Sequence, residues 1–317
     1  MVNKKGTKAV IIGAGAVGST IAYVMAIRTQ VHELVLVDMN AEKAEGEVMD
    51  ISHGLPFLGD MNIYADGYEA VKGADIIVIT AGASQKPGES RTDLVARNAR
   101  IGKSIADSIK PYYDGGLVLI VANPVDVLTY KYQEWLGIPE HRVIGSGTVL
   151  DSIRFRYLLG EALNVDVKYI HAYIIGEHGD SQFPAWSATN ISGFSIDDYC
   201  RANEIELSDA DREVIAKQTR EAANDIIARK GATYYGIGIS TSTIIESLLN
   251  PMPSIRTIST RLHGEYGIED VVVSVPALIS STGIEKVPEL ALPEDEMEKL
   301  KISAQSIRSV LDEISEF

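Results

Sequence analysis

Three stretches of the chain carry side chains suited to moving a proton beside a bound anion. GTVLDSIRFR, residues 147–156, sets Asp151 and Arg154 three apart, so that on a helix they share a face. IIGEHGDS, residues 174–181, places His178 among glycines, where a ring can project into a cleft. TAGASQKPGESR, residues 80–91, is a glycine- and proline-containing loop that ends in Arg91 and holds the neutral Gln85 among charges. An imidazole beside a carboxylate is a proton donor with a fixed tautomer and a favoured charged form. A guanidinium fork can hold a carboxylate by two parallel bonds. Taken singly, a histidine is more often a satisfied polar residue, and an i,i+3 Asp–Arg pair a surface salt bridge. The chemistry requires that they meet.

A cofactor motif precedes them. GAGAVG, Gly13 to Gly18, has the GxGxxG spacing directly after an apolar run and at the start of a helix-like segment. In that context Gly13 allows the tight turn, Gly15 lets the backbone approach a pyrophosphate, and Gly18 permits close helix–strand packing. Asp38 stands twenty residues after Gly18, at the end of the next apolar run, where a carboxylate can accept from ribose hydroxyls and repel a 2′-phosphate. Together they point to NAD rather than NADP, with Val17 and Gly82 beside the same site. The plain alternative is a tight turn followed by a surface carboxylate.

The elements that must hold these residues follow from periodicity. Short apolar runs at Lys8–Ile12, Glu33–Asp38, Asp75–Thr80, Leu117–Val121 and Val143–Gly145 alternate with amphipathic segments such as Gly15–Arg28 and Glu42–Asp50. Such alternation predicts an α/β fold with a Rossmann-type, doubly wound parallel sheet. After residue 147 the pattern changes to an α+β substrate domain. There Tyr169–Ile175 and Val271–Val275 read as strands, and Asp209–Arg229 and Glu294–Ile314 as long helices. The expected division is 1–147 for the NAD-binding domain and 148–317 for the catalytic domain, with no linker between them.

Composition narrows the class. The 317 residues are 45% hydrophobic and 23% charged, the balance of a soluble globular protein, and the net charge of −15 disfavours nucleic acid as a partner. A single cysteine, Cys200, leaves no internal disulfide and no cysteine-based zinc site, and we expect no metal and a cytoplasmic location. Ala9 to Ile27 is uncharged for nineteen residues after Lys4, Lys5 and Lys8, but its glycines fit a strand–turn–helix better than a membrane span.

Across essentially its whole length the sequence resembles the L-lactate/L-malate dehydrogenase family. The resemblance rests on GAGAVG, KPGESR, NPVD at residues 123–126, LDSIRFR, GEHGDS and KGATYYGIG at Lys230–Gly238, in order and at compatible spacing. It implies that His178 exchanges a proton with the substrate oxygen while NAD carries the hydride. Asp151 would orient the imidazole, Arg154 hold the substrate carboxylate, and Arg91 polarise the carbonyl. Asn123 would bond near the reacting carbonyl and the cofactor. Thr233 and Ile237 are expected on a helix walling the pocket.

Gln85 separates the two main substrates. Malate-specific members resemble this loop but carry arginine there, and an uncompensated second carboxylate under a closed loop costs several kcal/mol. The neutral residue therefore favours pyruvate/L-lactate, with malate or broader L-2-hydroxy acid dehydrogenase as the alternative. Arg156 and His171 match residues that bind fructose 1,6-bisphosphate at a subunit interface in bacterial relatives. They are expected to form an allosteric site in a homotetramer, with His171 on the strand face opposite His178. Twelve residues precede Gly13, fewer than in vertebrate enzymes, so a tetramer would rest on other contacts. Gly102 stands where relatives often carry an aromatic residue, and a non-catalytic NAD-binding protein is the competing class on this scaffold.

Overall fold

Wholly apolar strands such as Ile76–Ile79 and Leu117–Ile120 have no face to turn toward water, so they form only where helices cover both sides of a sheet. The computed structural model describes residues 6–28, 30–83, 88 and 90–314, and of Arg91 the backbone alone. Its first half alternates: β1 (Lys8–Ile12), α1 (Ala16–Arg28), β2 (Glu33–Val37), α2 (Ala41–Gly54), β3 (Asn62–Ala65), β4 (Ile76–Ile79), α3 (Arg91–Ile109), β5 (Leu117–Ile120), α4 (Val125–Leu136) and β6 (Val143–Gly145). α3 begins where the Ser90 hydroxyl accepts from Asp93 N at 3.1 Å, a helix N-cap.

The second half opens with α5 (Val149–Leu163) and short strands β7 (Ile170–His171), β8 (Ile174–Ile175), β9 (Phe183–Pro184), β10 (Asn190–Ile191) and β11 (Phe194–Ser195). It continues with α6 (Ile196–Ala202), α7 (Asp209–Lys230), α8 (Tyr235–Leu248), β12 (Ser254–His263), β13 (Glu269–Ser280), β14 (Gly283–Lys286) and α9 (Glu294–Glu313). One nine-stranded sheet joins the halves in the order β3-β2-β1-β4-β5-β6-β12-β13-β14. β1 to β6 are parallel; β12 then pairs β6 antiparallel at Ser259 and Gly145, and β13 and β14 follow antiparallel. The doubly wound sheet of the sequence reading is present, and the later strands extend it.

Three local expectations are corrected. Tyr169–Ile175 is not one strand: β7 pairs with β10 and β8 with β9, because the chain changes partners at Ala172 and Tyr173, whose carbonyls accept from Arg156 and Ala185. His178 lies beyond β8 in a turn, so strand alternation does not set it opposite His171. KGATYYGIG is not a continuous helix, since α7 ends at Lys230 and α8 starts at Tyr235, leaving Thr233 in the connection and Ile237 on α8. β3, β12 and β14 were not foreseen; β12, SIRTISTRLH, intersperses polar residues and offers no apolar run.

Gly102 has a packing reason. A Cβ there would lie 3.0 Å from Trp135 Cζ3 and 3.2 Å from Tyr132 Cε2, so two aromatic rings from α4 fill the space beside α3.

Candidate active site

Parallel strands end on one edge of the sheet, and the order reverses between β1 and β4, which leaves a crevice there. Gly13 follows β1 at φ 110°, and a Cβ on it would stand 2.7 Å from Ala81 N and Thr80 Oγ1. A Cβ on Gly18 would meet Gly13 O at 1.8 Å, so both positions are closed to side chains. Gly15 is the opposite case, with no atom of the described residues within 4 Å of its would-be Cβ. Its bare surface at the N-terminus of α1 is the cradle that a pyrophosphate needs.

Asp38, after β2, is more occupied than expected. Its Oδ2 accepts from Ala14 N at 2.7 Å and its Oδ1 from Asn40 N at 2.9 Å. Those bonds fix the carboxylate against the glycine turn, and each oxygen retains capacity for a further donor, such as a ribose hydroxyl. Val17 is half-buried on α1 and Gly82 exposed just after β4. The residues present therefore fit a dinucleotide. Asn98 on α3, absent from the sequence reading, ties two strand ends together: its Oδ1 accepts from Ala83 N at 2.8 Å and its Nδ2 donates to Asn123 O at 2.8 Å. Asn123 itself is exposed at the end of β5, preceding a cis proline.

α5 and the turn after β8 bring three of the expected residues, Asp151, Arg154 and His178, together. Asp151, 1% exposed, bonds His178 Nδ1 through Oδ2 at 2.7 Å. Its Oδ1 accepts from Arg154 Nη1 at 3.0 Å and from Gln182 Nε2 at 3.4 Å. The His178 side chain keeps 27% of its surface open and Arg154 14%. Burial opposes charge on both members of the pair. The mutual attraction and hydrogen bond outweigh it, with Arg154 helping on the carboxylate side, so Asp151 is lowered and His178 raised from their ordinary values.

A second carboxylate grips the same residue from the other side. Asp126, in the first turn of α4 and 2% exposed, accepts from His178 N at 2.7 Å through Oδ2. Its Oδ1 accepts from the hydroxyls of Ser259 on β12 at 2.6 Å and Ser274 on β13 at 3.1 Å. Burial raises Asp126 to about 6 despite those bonds and the nearby His178. Asp126 closes the NPVD motif, and its signal in the sequence is a carboxylate at a helix start inside a largely apolar stretch.

The other expected residues fall as follows. Thr233 is half-buried between α7 and α8. Arg156 donates from Nε to Ala172 O at 2.9 Å, beside His171, whose own ring is exposed on β7. Arg156 also lines a groove of about 340 Å³ with Tyr173 and Arg256. Gln85 and the Arg91 side chain lie outside the described residues, although the Arg91 backbone opens α3 rather than closing the loop.

Residues 7–145 match the lactate/malate dehydrogenase NAD binding domain, and residues 148–317 the lactate/malate dehydrogenase alpha/beta C-terminal domain. The chain belongs to the lactate/malate dehydrogenase family. Among its relatives is the L-lactate dehydrogenase of Thermoanaerobacterium saccharolyticum, 46% identical over 97% of this chain and 99% of that one. The minor L-lactate dehydrogenase of Enterococcus mundtii, in its ligands-bound form, superposes with a TM-score of 0.94 at 39% identity over 98% of each chain. The L-lactate dehydrogenase of Clostridium thermocellum reaches 0.87 at 49% identity over 97% of this chain and 99% of that one. As a family member the protein is an NAD-dependent oxidoreductase, and NAD is its cofactor. No helix among the described residues is long and apolar enough to cross a membrane.

Proposed function

We propose that the protein is an L-lactate dehydrogenase, converting pyruvate and NADH to (S)-lactate and NAD reversibly. The observation that carries this reading is the Asp151–His178 bond of 2.7 Å beside the Arg154 guanidinium. NAD, when bound, supplies or takes the hydride. Gly13, Gly15, Val17, Gly18, Asp38, Gly82 and Asn123 would hold it.

Asp151 holds Nδ1, so Nε2 of charged His178 is the proton donor to the 2-oxo oxygen, and in reverse the neutral ring is the base. Arg154 takes the substrate carboxylate, held in direction by its bond to Asp151. Arg91 adds positive charge at the carbonyl, Asn123 a hydrogen bond nearby, and Thr233 part of the wall. The division of labour follows residues 1–147 and 148–317.

Preference for pyruvate over oxaloacetate rests on Gln85, and the relatives named L-lactate dehydrogenase support the same choice. NADH oxidation with pyruvate, oxaloacetate and a branched 2-oxo acid tests it. Pyruvate is expected to have the highest kcat/KM, and Gln85→Arg to shift the pyruvate-to-oxaloacetate ratio toward oxaloacetate by about a hundredfold or more. An unchanged ratio contradicts the assignment of specificity to Gln85, and a wild-type preference for oxaloacetate restores the malate reading.

We extend the proposal to regulation by fructose 1,6-bisphosphate at Arg156 and His171 in a cytoplasmic homotetramer. Arg156 shares its groove with Arg256, and burial together with that like charge lowers its proton affinity, a strain that an anion would relieve. The effector is expected to lower the KM for pyruvate; no change in KM or assembly on titration removes this part alone.

A further inference from the structure

The turn that carries His178 rests on an element that the catalytic reading leaves unused. Glu177 N donates to Ser303 Oγ on α9 at 2.6 Å, while the next amide, His178 N, donates to Asp126 on α4. Two consecutive backbone amides are thus held by side chains of two separate helices.

The Glu177 carboxylate closes the turn beneath them. It is 7% exposed, and its Oε2 accepts from Ser181 Oγ at 2.6 Å and Ser306 Oγ, again on α9, at 3.3 Å. The Ser181 and Ser303 hydroxyls are 2.9 Å apart. The fit leaves little slack. Gly176 sits at φ 99°, and a Cβ on it would lie 2.6 Å from Ser303 Oγ. α9 is itself anchored near its start, where the buried Glu296 accepts from Ser187 N at 3.0 Å and Ser187 Oγ at 2.5 Å. Near its end, Glu313 accepts from Thr92 Oγ1 at 3.3 Å, next to Arg91.

Burying a carboxylate is costly unless its oxygens are bonded, so a turn needing only shape gains nothing from glutamate here. We propose that Glu177 and Ser303 are positioning residues for His178. Ser303 fixes the depth of the turn through the Glu177 amide, and the Glu177 carboxylate locks the turn onto Ser181 and Ser306. The proposal rests on His178 being the proton-transfer residue. Among the described residues, Asp126 from α4, Asp151 and Arg154 from α5 and Glu177 of the turn itself bring charge to this region, whereas α9 offers hydroxyls to the turn.

The test combines steady-state kinetics with amide hydrogen exchange on full-length Ser303→Ala, Glu177→Gln and Glu177→Ala, each checked for wild-type circular dichroism. Ser303→Ala is expected to lower kcat for pyruvate about tenfold with KM within about twofold, and to speed exchange in residues 176–181. Glu177→Gln, which keeps an acceptor oxygen, is expected to retain most of the kcat that Glu177→Ala loses. Wild-type kcat in Ser303→Ala, or equal losses in the two Glu177 variants, overturns the positioning role. Exchange needs no substrate, so unchanged exchange in Ser303→Ala overturns the clamp whatever the reaction. Absence of pyruvate turnover in the wild type refutes the functional reading instead.

Discussion

Asp151 and Asp126 are both almost wholly hidden from water and touch the same residue, yet they stand on opposite sides of the ordinary carboxylate value. Asp151 meets an imidazole and a guanidinium, and its charge is favoured. Asp126 meets two hydroxyls and a backbone amide, and its pKa rises to about 6. At Asp126 the hydrogen bonds and the nearby His178 only partly offset desolvation, whereas at Asp151 the adjoining imidazole and guanidinium outweigh it. One carboxylate tunes the proton on His178, and the other mainly fixes where His178 stands.

The difference has consequences for pH. Asp126 binds a proton more tightly in the folded protein than in the unfolded chain. Its ionisation therefore costs native stability as pH rises from near 4 to above 6, by about 3 kcal/mol through linkage. Asp151, lowered on folding, contributes stability above its unfolded pKa and loses it as pH falls. His178, raised on folding, contributes below its unfolded pKa and loses it as pH climbs through the folded one.

Replacing each carboxylate tests the contrast most strongly. Asp151→Asn should lower kcat/KM for pyruvate on the order of a thousandfold, because the imidazole loses both its orientation and its charge partner. The alkaline limb of pyruvate reduction should also move to lower pH, since burial then acts on His178 against a weaker opposing field. Asp126→Asn should cost less, about tenfold to a hundredfold, with a smaller shift of that limb in the same direction. Equal effects from both replacements would erase the distinction drawn between them. In thermal melts the difference in Tm between Asp126→Asn and wild type should move in the variant's favour as pH rises from 4 to 7. A difference independent of pH would mean that Asp126 ionises normally. Ser274→Ala should have the smallest effect, removing one donor from Asp126 and raising it further, seen in the same melts as stability lost at a slightly higher pH than in wild type.

The glycine turn and its carboxylate were legible because their signal is local. Glycines at 13, 15 and 18 and a carboxylate at 38 are read from one strand–turn–helix, and the structure adds only that Asp38 braces the turn as well. Asp151, Arg154 and His178 were legible as residue types suited to one site, and the structure brings them together, but their supports were not legible. Asp151 and Arg154 follow from helical spacing, while their meeting with His178 follows from tertiary packing that no short window contains. Asp126, Ser259, Ser274 and Ser303 come from α4, β12, β13 and α9, each ordinary in its own segment. The strand expected at Tyr169–Ile175 failed for a related reason: periodicity sees apolar residues, not the change of partner at Ala172. Gly102 shows the same limit, since nothing near it in sequence announces that Tyr132 and Trp135 fill its place.

The claim that Asp151 sets the proton on His178 is tested most directly by an NMR titration of the His178 imidazole in wild type and Asp151→Asn, with the resonance assigned by its loss in His178→Gln. The wild-type ring should titrate above the ordinary histidine value, and in Asp151→Asn its pKa should fall below the wild-type one. An imidazole with the same pKa in both proteins would contradict the account.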